Sequence, residues 1–168
     1  MTKTIDRKYL EIKSKEDLIE IRAPELECSI SMVNPVNFQI NKFFYKNVGK
    51  NHRWVDRLIW SESEWINYSS SSIVDTYILK VKDDLAGYFE LISHKNLNEI
   101  EIAYLGLLEE YHYKKLGSYL VSKAIQKSFE RNNIKRVWVH TCSLDHKNAL
   151  KNYIARGMKI FKEETVKI

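Results

Sequence analysis

Glycine and proline are scarce, five and two among 168 residues, which leaves little room for long flexible linkers. The two cysteines, Cys28 and Cys142, stand far apart and in no metal-ligand spacing. That argues against a disulfide framework and a cysteine-based metal site, and two reduced, packed thiols are expected. No run is apolar and long enough to cross a membrane as a helix. The opening residues, Met1-Thr-Lys-Thr-Ile-Asp6, have no apolar signal core, so a cytoplasmic protein with no membrane partner and no bound metal is expected. Internal repeats are absent. What is present is 44% hydrophobic and 29% charged residues, the balance of a globular chain. The length suits one sizeable core, so residues 1–168 are expected to form a single domain. The net charge of +5 comes from scattered lysines. No arginine-rich or aromatic-interleaved patch points to nucleic acid, and a small anionic ligand accounts for a local basic cluster equally well.

Periodicity divides the chain in two. Thr4 to Ile12 reads as a polar strand, Lys15 to Arg22 as a short helix broken by Pro24, and Cys28 to Val33 as an alternating strand. Val36, Ile40, Phe43, Phe44 and Val48 recur at helical spacing and are closed by Gly49. Ser61-Glu-Ser-Glu64 is a capping box ahead of Trp65. From Ile73 strands dominate: Ile73 to Val81, a turn at Lys82-Asp83-Asp84, Leu85 to Ser93, and Glu99 to Leu107. An amphipathic segment from Leu116 to Arg131 follows, then a β-branched strand from Lys135 to Thr141. Strand, helix, strand at this length implies a right-handed parallel crossover. Asp145 is placed to cap a last helix from His146 to Arg156, ended by Gly157, and Met158 to Val166 makes the final strand. The sum is an α+β fold: a mixed sheet, antiparallel first and parallel at the crossover, flanked by helices.

The most informative stretch is Glu99 to Arg131. A strand feeds the basic loop His112-Tyr113-Lys114-Lys115, which opens a helix at Leu116-Gly117-Ser118. Helix N-termini offer unpaired N–H groups and a partial positive charge, which suits phosphate.

These residues resemble the pyrophosphate loop of the GNAT superfamily of N-acetyltransferases, Arg/Gln-x-x-Gly-x-Gly/Ala. Gly117 matches, while His112 stands for the Arg or Gln and Lys115 for the first Gly. The resemblance extends from Leu85 to Phe161. Glu101-Ile-Ala-Tyr104 is similar to the strand that carries the general-base glutamate in histone-type members. Asn148, Tyr153 and Gly157 match the spacing of the family's Asn-x-x-Ala/Ser-x-x-x-Tyr-x-x-x-Gly-Phe pattern, with Met158 for Phe. Arg136 to His146 resembles a bacterial subgroup. The order of elements is also that of GNAT domains.

The resemblance implies an acetyl-CoA-dependent N-acetyltransferase that moves an acetyl group to an amine acceptor by direct transfer in a ternary complex. A non-catalytic acyl-CoA-binding module of the same fold is the alternative, and homodimer formation is left open. It implies Tyr153 as the acid toward the departing thiolate, and Asn148 as a hydrogen-bonding partner of the coenzyme. Leu105, Gly106 and Leu107 would lie along the pantetheine arm, with the Leu107 N–H facing the thioester oxygen. The loop from Tyr113 to Ser118 would cradle the pyrophosphate. The acceptor amine must lose a proton before it attacks. Glu101 is the first candidate base and Glu90 its rival, set among apolar neighbours. His140 could orient or relay a proton. Trp54, Arg57, Trp60 and Trp65 would line the acceptor site or, the preferred reading, pack as core. Lys115 is expected to take an ordinary right-handed helical backbone at the helix start.

Overall fold

The computed structural model describes residues 2–112 and 115–168. Its described strands form one mixed sheet: β1 (Thr4–Ile12), β2 (Cys28–Met32), β3 (Val74–Val81), β4 (Asp84–His94), β5 (Glu99–Leu107), β6 (Arg136–Cys142) and β7 (Lys159–Lys167), in the spatial order β2-β3-β4-β5-β6-β1-β7. Four helices flank it: α1 (Phe38–Gly49), α2 (Glu62–Ser69), α3 (Leu116–Phe129) and α4 (Ala149–Ala155). The β2-β3-β4-β5 half is antiparallel throughout, and β5 meets β6 in parallel through the α3 crossover. The connection from β6 through α4 to β7 skips one strand position. β1 fills it, antiparallel to both neighbours.

Alternation along the strands sends one set of side chains under α3 and the other under α1. Leu116, Leu120, Ala124 and Ile125 of α3 are fully buried against Leu79, Phe89, Leu91, Ile100, Ile102 and Val137. A fully buried Leu or Ile contributes about 1.5–3 kcal/mol, so this layer supplies most of the cohesion between crossover and sheet. On the other face Phe44 of α1 stacks on Tyr88 at 4.8 Å, beside Val48 and Ile78. The capping box of α2 is present, with Ser61 and Glu64 exchanging side-chain-to-backbone bonds.

Three expectations are corrected. Lys15 to Arg22 is not a helix: a single 3₁₀ turn, Lys15–Asp17, is all that forms. The Ile19 N–H donates to the Arg156 carbonyl (3.0 Å) and the Ile21 N–H to the Ser122 hydroxyl (3.3 Å), so tertiary partners take the donors a helix would use. Asp145 does not cap α4, whose N-cap is Asn148. Its carboxylate instead accepts from the Thr141 hydroxyl (2.5 Å) and the Cys142 N–H (3.1 Å), fixing the end of β6. The helix after Pro35 starts at Phe38, where the Asn37 side chain accepts from the Gln39 N–H.

Glu90 is fully buried in β4, yet its neighbours are donors rather than the expected apolar groups. It accepts from Arg57 (3.0 Å), Asn41 (2.7 Å) and the Tyr68 hydroxyl (2.6 Å). Burial works against the Arg57 charge, but the Glu90 carboxylate together with Tyr68 and Tyr104 outweighs it and the guanidinium pKa is raised. Rings of Tyr68 and Tyr104 lie 4.0 and 4.3 Å from the guanidinium carbon. Removing one charge of such a pair leaves the other buried and uncompensated, at a cost of about 3–5 kcal/mol. Glu90→Gln is therefore expected to lower unfolding free energy in urea by about that amount, with Glu90→Gln/Arg57→Met recovering most of it. A loss below about 1 kcal/mol in the single variant would show that the pair is not structural.

Candidate active site

The β5–β6 ladder is short. It joins Glu99 to Arg136, Ile100 to Val137 and Glu101 to Trp138, and past that point the two strands line a cavity together. Ala103 to Leu107 form one wall, and Val139, His140 and Cys142 the other. Beyond Glu101 the β6-facing edge of β5 therefore has no ladder partner, which leaves backbone polar groups for a ligand. The cavity measures about 1000 Å³, at the upper end of small-molecule sites. At one end it reaches Lys115, Gly117 and Ser118 at the start of α3, and Asn148, Asn152 and Tyr153 of α4 close the side. At the other, Trp54 and Asp56 of the α1–α2 connection approach Tyr104.

Gly106 has no side chain because α1 passes too near: a Cβ there would stand 2.4 Å from Val48 Cγ1. The β4–β5 ladder shifts register between Glu90 and Leu91, which face Tyr104 and Ile102 and leave Ala103 as the extra residue. Gly117 differs. The nearest atom to a Cβ there is Asn152 Nδ2 at 3.4 Å, and φ is not positive. Among the described residues no packing contact demands that glycine, whereas a phosphate approaching the helix start would.

A sequence model of the acetyltransferase (GNAT) family matches residues 38–158, more than half of the chain. This chain belongs to the GNAT family. No curated protein sequence matches it. Solved structures share the fold at low identity. A GCN5-related N-acetyltransferase from Kribbella flavida is 15% identical with a TM-score of 0.67, over 96% of this chain and 56% of that one. One from Sphaerobacter thermophilus is 10% identical with a TM-score of 0.74, over 99% and 53%. An aminoglycoside acetyltransferase from an uncultured soil metagenomic sample is 11% identical with a TM-score of 0.62, over 77% and 86%. The chain thus spans little more than half the length of the first two.

Most residues expected on GNAT grounds meet at one place. Leu105, Gly106, Leu107, His112, Lys115, Gly117, Ser118, His140, Asn148 and Tyr153 all line the cavity, while Leu116 is buried beneath it in the core. Tyr113 and Lys114 lie outside the described residues. Glu101 and Glu90 do not line the cavity. Glu101 pairs with His94 at 2.9 Å, but lies close enough to His140 to act on its charge. Of the aromatic and basic cluster, Arg57 and Trp65 are buried as core, and Trp60 packs on Trp65 at 4.9 Å. Only Trp54 of the four reaches the cavity.

His140 opens onto the cavity, yet surrounding protein lowers its pKa below the ordinary imidazole value. Burial is the first cause and Arg7 the second, with Glu101 acting in the opposite direction. The neutral imidazole is thereby favoured. Tyr153 is buried and its pKa is raised, first by burial and then by Asp145, which keeps its hydroxyl protonated. Asn152 was missed from the sequence. Its side chain accepts from the Ser118 hydroxyl at 3.0 Å and ties α4 to the first turn of α3. Its one signal was position: it stands one turn after Asn148 on the cavity face.

Lys115 overturns its expectation. It is the N-cap of α3 with φ 58 and ψ 13, in the left-handed region rather than the right-handed helical one. This is the loop position where the family pattern carries glycine, and the backbone keeps a glycine-like shape. A lysine in that region costs about 1 kcal/mol more than glycine. Lys115→Gly is therefore expected to raise the unfolding free energy by about 0.5–1 kcal/mol, after offsetting the extra freedom of the unfolded chain. A destabilised variant in urea titration would show that this backbone shape is not adopted.

Proposed function

We propose that this chain is a single domain that transfers the acetyl group of acetyl-CoA directly to a primary amine in a ternary complex. The observation that carries this reading is the opening between β5 and β6. Around the one cavity stand the strand edge of β5, the start of α3, His140 and Tyr153.

In this reading the pyrophosphate sits at the N–H groups of Gly117 and Ser118, with Lys115 adding charge. The pantetheine arm follows Leu105 to Leu107, and Asn148 and Asn152 hold it from α4. The amine enters from the Trp54 and Tyr104 side. His140 takes a proton from the ammonium, with Glu101 behind it stabilising the resulting imidazolium. The amine nitrogen then attacks the thioester carbon. Negative charge gathers on the carbonyl oxygen, which the Leu107 N–H is proposed to meet. When the carbon–sulfur bond breaks, the Tyr153 hydroxyl gives its proton to the thiolate, and the surplus proton shed by the new amide nitrogen restores the phenol. The burial that raises the phenol raises a thiol in the same cavity as well, so this transfer remains within reach.

Binding of acyl-CoA without catalysis is the second reading, favoured by Lys115 in the loop and by Glu101 lying off the cavity. Free-thiol release from acetyl-CoA over a panel of amines separates the two. An enzyme releases thiol with at least one amine, and a binding module with none.

His140→Asn is expected to lower kcat by about 10²-fold or more and remove the rising limb of the pH–rate profile near and below pH 6.5. The sign follows from the lowered pKa: the neutral base persists to lower pH than a free imidazole would allow. Tyr153→Phe should reduce kcat with little change in acetyl-CoA affinity. An unchanged pH profile in His140→Asn would remove His140 from its role.

A further inference from the structure

Three histidines meet at the cavity from three separate connections: His52 after α1, His112 after β5 and His146 after β6. The His146 ring lies 5.0 Å from that of His112 and 6.4 Å from that of His52. Each has a backbone partner that assigns its proton. His52 Nδ1 faces the Leu144 carbonyl at 3.1 Å, 92 residues away in sequence, and a carbonyl can only accept. His52 therefore carries its neutral-state hydrogen on Nδ1 and leaves Nε2 as the basic atom. His112 Nε2 faces the Leu107 carbonyl at 3.1 Å and is likewise a donor. His146 is opposite: its Nδ1 accepts from the Asn148 N–H at 3.1 Å, so its hydrogen sits on Nε2. Protonating His146 would break that backbone bond, whereas protonating His52 breaks none. The pKa of His146 is lowered, first by burial and then by His112, His52 and Lys147.

Cations share the cavity: Arg53, Lys115 and Lys151 line it, and Lys147 acts on His146. The nearby acids are fewer in effect. Asp145 is held by Thr141 and Cys142, Asp56 stands on the Trp54 side, and Glu109 and Glu110 are exposed on the turn before His112. An anion arriving here would favour an added proton.

We infer that His52 and His146 clamp the coenzyme's phosphates beside His112, which stays tied to the Leu107 carbonyl, His52 taking up a proton as they bind and neutral His146 donating its Nε2–H. This rests on the acetyl-CoA reading above. It makes coenzyme affinity proton-linked at the cavity mouth, separately from the catalytic base.

The test is calorimetry of acetyl-CoA binding near pH 6 and pH 8, in buffers of different ionisation enthalpy. The wild-type protein is expected to take up protons on binding, and to bind about tenfold tighter at the lower pH. His52→Asn keeps a donor for the Leu144 carbonyl but cannot take a proton, and should lose most of that uptake. The free coenzyme's phosphate is the same in both titrations, so their difference reports the linkage that His52 creates. S-acetylpantetheine, which lacks the phosphates, should bind without uptake. Nuclear magnetic resonance of the His52 Cε1–H should show its titration midpoint rising on acetyl-CoA addition. Equal uptake in wild type and His52→Asn, or uptake with S-acetylpantetheine, would overturn the clamp while leaving the acetyltransferase reading intact. No binding of acetyl-CoA at all would sink both.

Discussion

Three residue pairs join the two halves of the sheet, and the rest of the site depends on that seam being short but firm. Its lower end is fastened by more than backbone. Arg136 donates to both carboxylate oxygens of its ladder partner Glu99, at 2.8 and 3.0 Å, and to Glu11 of β1 at 3.2 Å. This fork is a stronger link than a single surface ion pair. Beneath it, α3 packs across Ile100, Ile102 and Val137, so that both strands rest on one apolar layer. The strands can then part above Glu101 without losing the sheet. A longer ladder would have filled the cavity with hydrogen bonds, and an unfastened one would have let the halves drift apart.

The two sides of the cavity are held by different physics. On the β6 side the anchor is Asp145, which accepts from Thr141 and Cys142 and fixes the strand end that presents His140. On the α1–α2 side it is the buried Arg57–Glu90 pair, whose aromatic surround includes Tyr104 of the cavity wall. Such a pair contributes little net stability compared with apolar packing, but its directionality restricts how α2 and β4 meet. A polar network in the core thus fixes a wall that the apolar core alone would leave freer to shift.

Much of this was legible in sequence because the elements are local. The β3-β4-β5 meander, the α3 crossover and the capping box of α2 follow from periodicities over a few residues. β1 was harder. Leu10 and Ile12 are buried on the α3 face, whereas Ile5 and Arg7 line the cavity on the other, so its apolar positions switch parity and the strand reads as merely polar. Its place between β6 and β7 involves residues more than 120 positions apart, which no local pattern encodes. The surroundings of the carboxylates were hidden for a related reason. Glu101 and Glu90 lie on the strands expected, but the seam ends at Glu101, and Arg57 lies far enough away in sequence that Glu90 gave no sign of being paired. His52 and His146 were invisible as a pair until three connections met.

Lys115 shows how site geometry can override local preference. Its residue type suits an ordinary helix start, which is why a right-handed backbone was expected. The structure puts it at φ 58 instead, and such a conformation persists only where the surroundings over-determine it. Here those surroundings are the buried Leu116 that follows and the Ser118–Asn152 bond one turn on, which set the direction in which α3 begins. That direction brings the start of α3 to the cavity. The cost of the left-handed residue therefore falls at the one turn where helix orientation matters for the ligand, and the packing of α3 against the sheet offsets it.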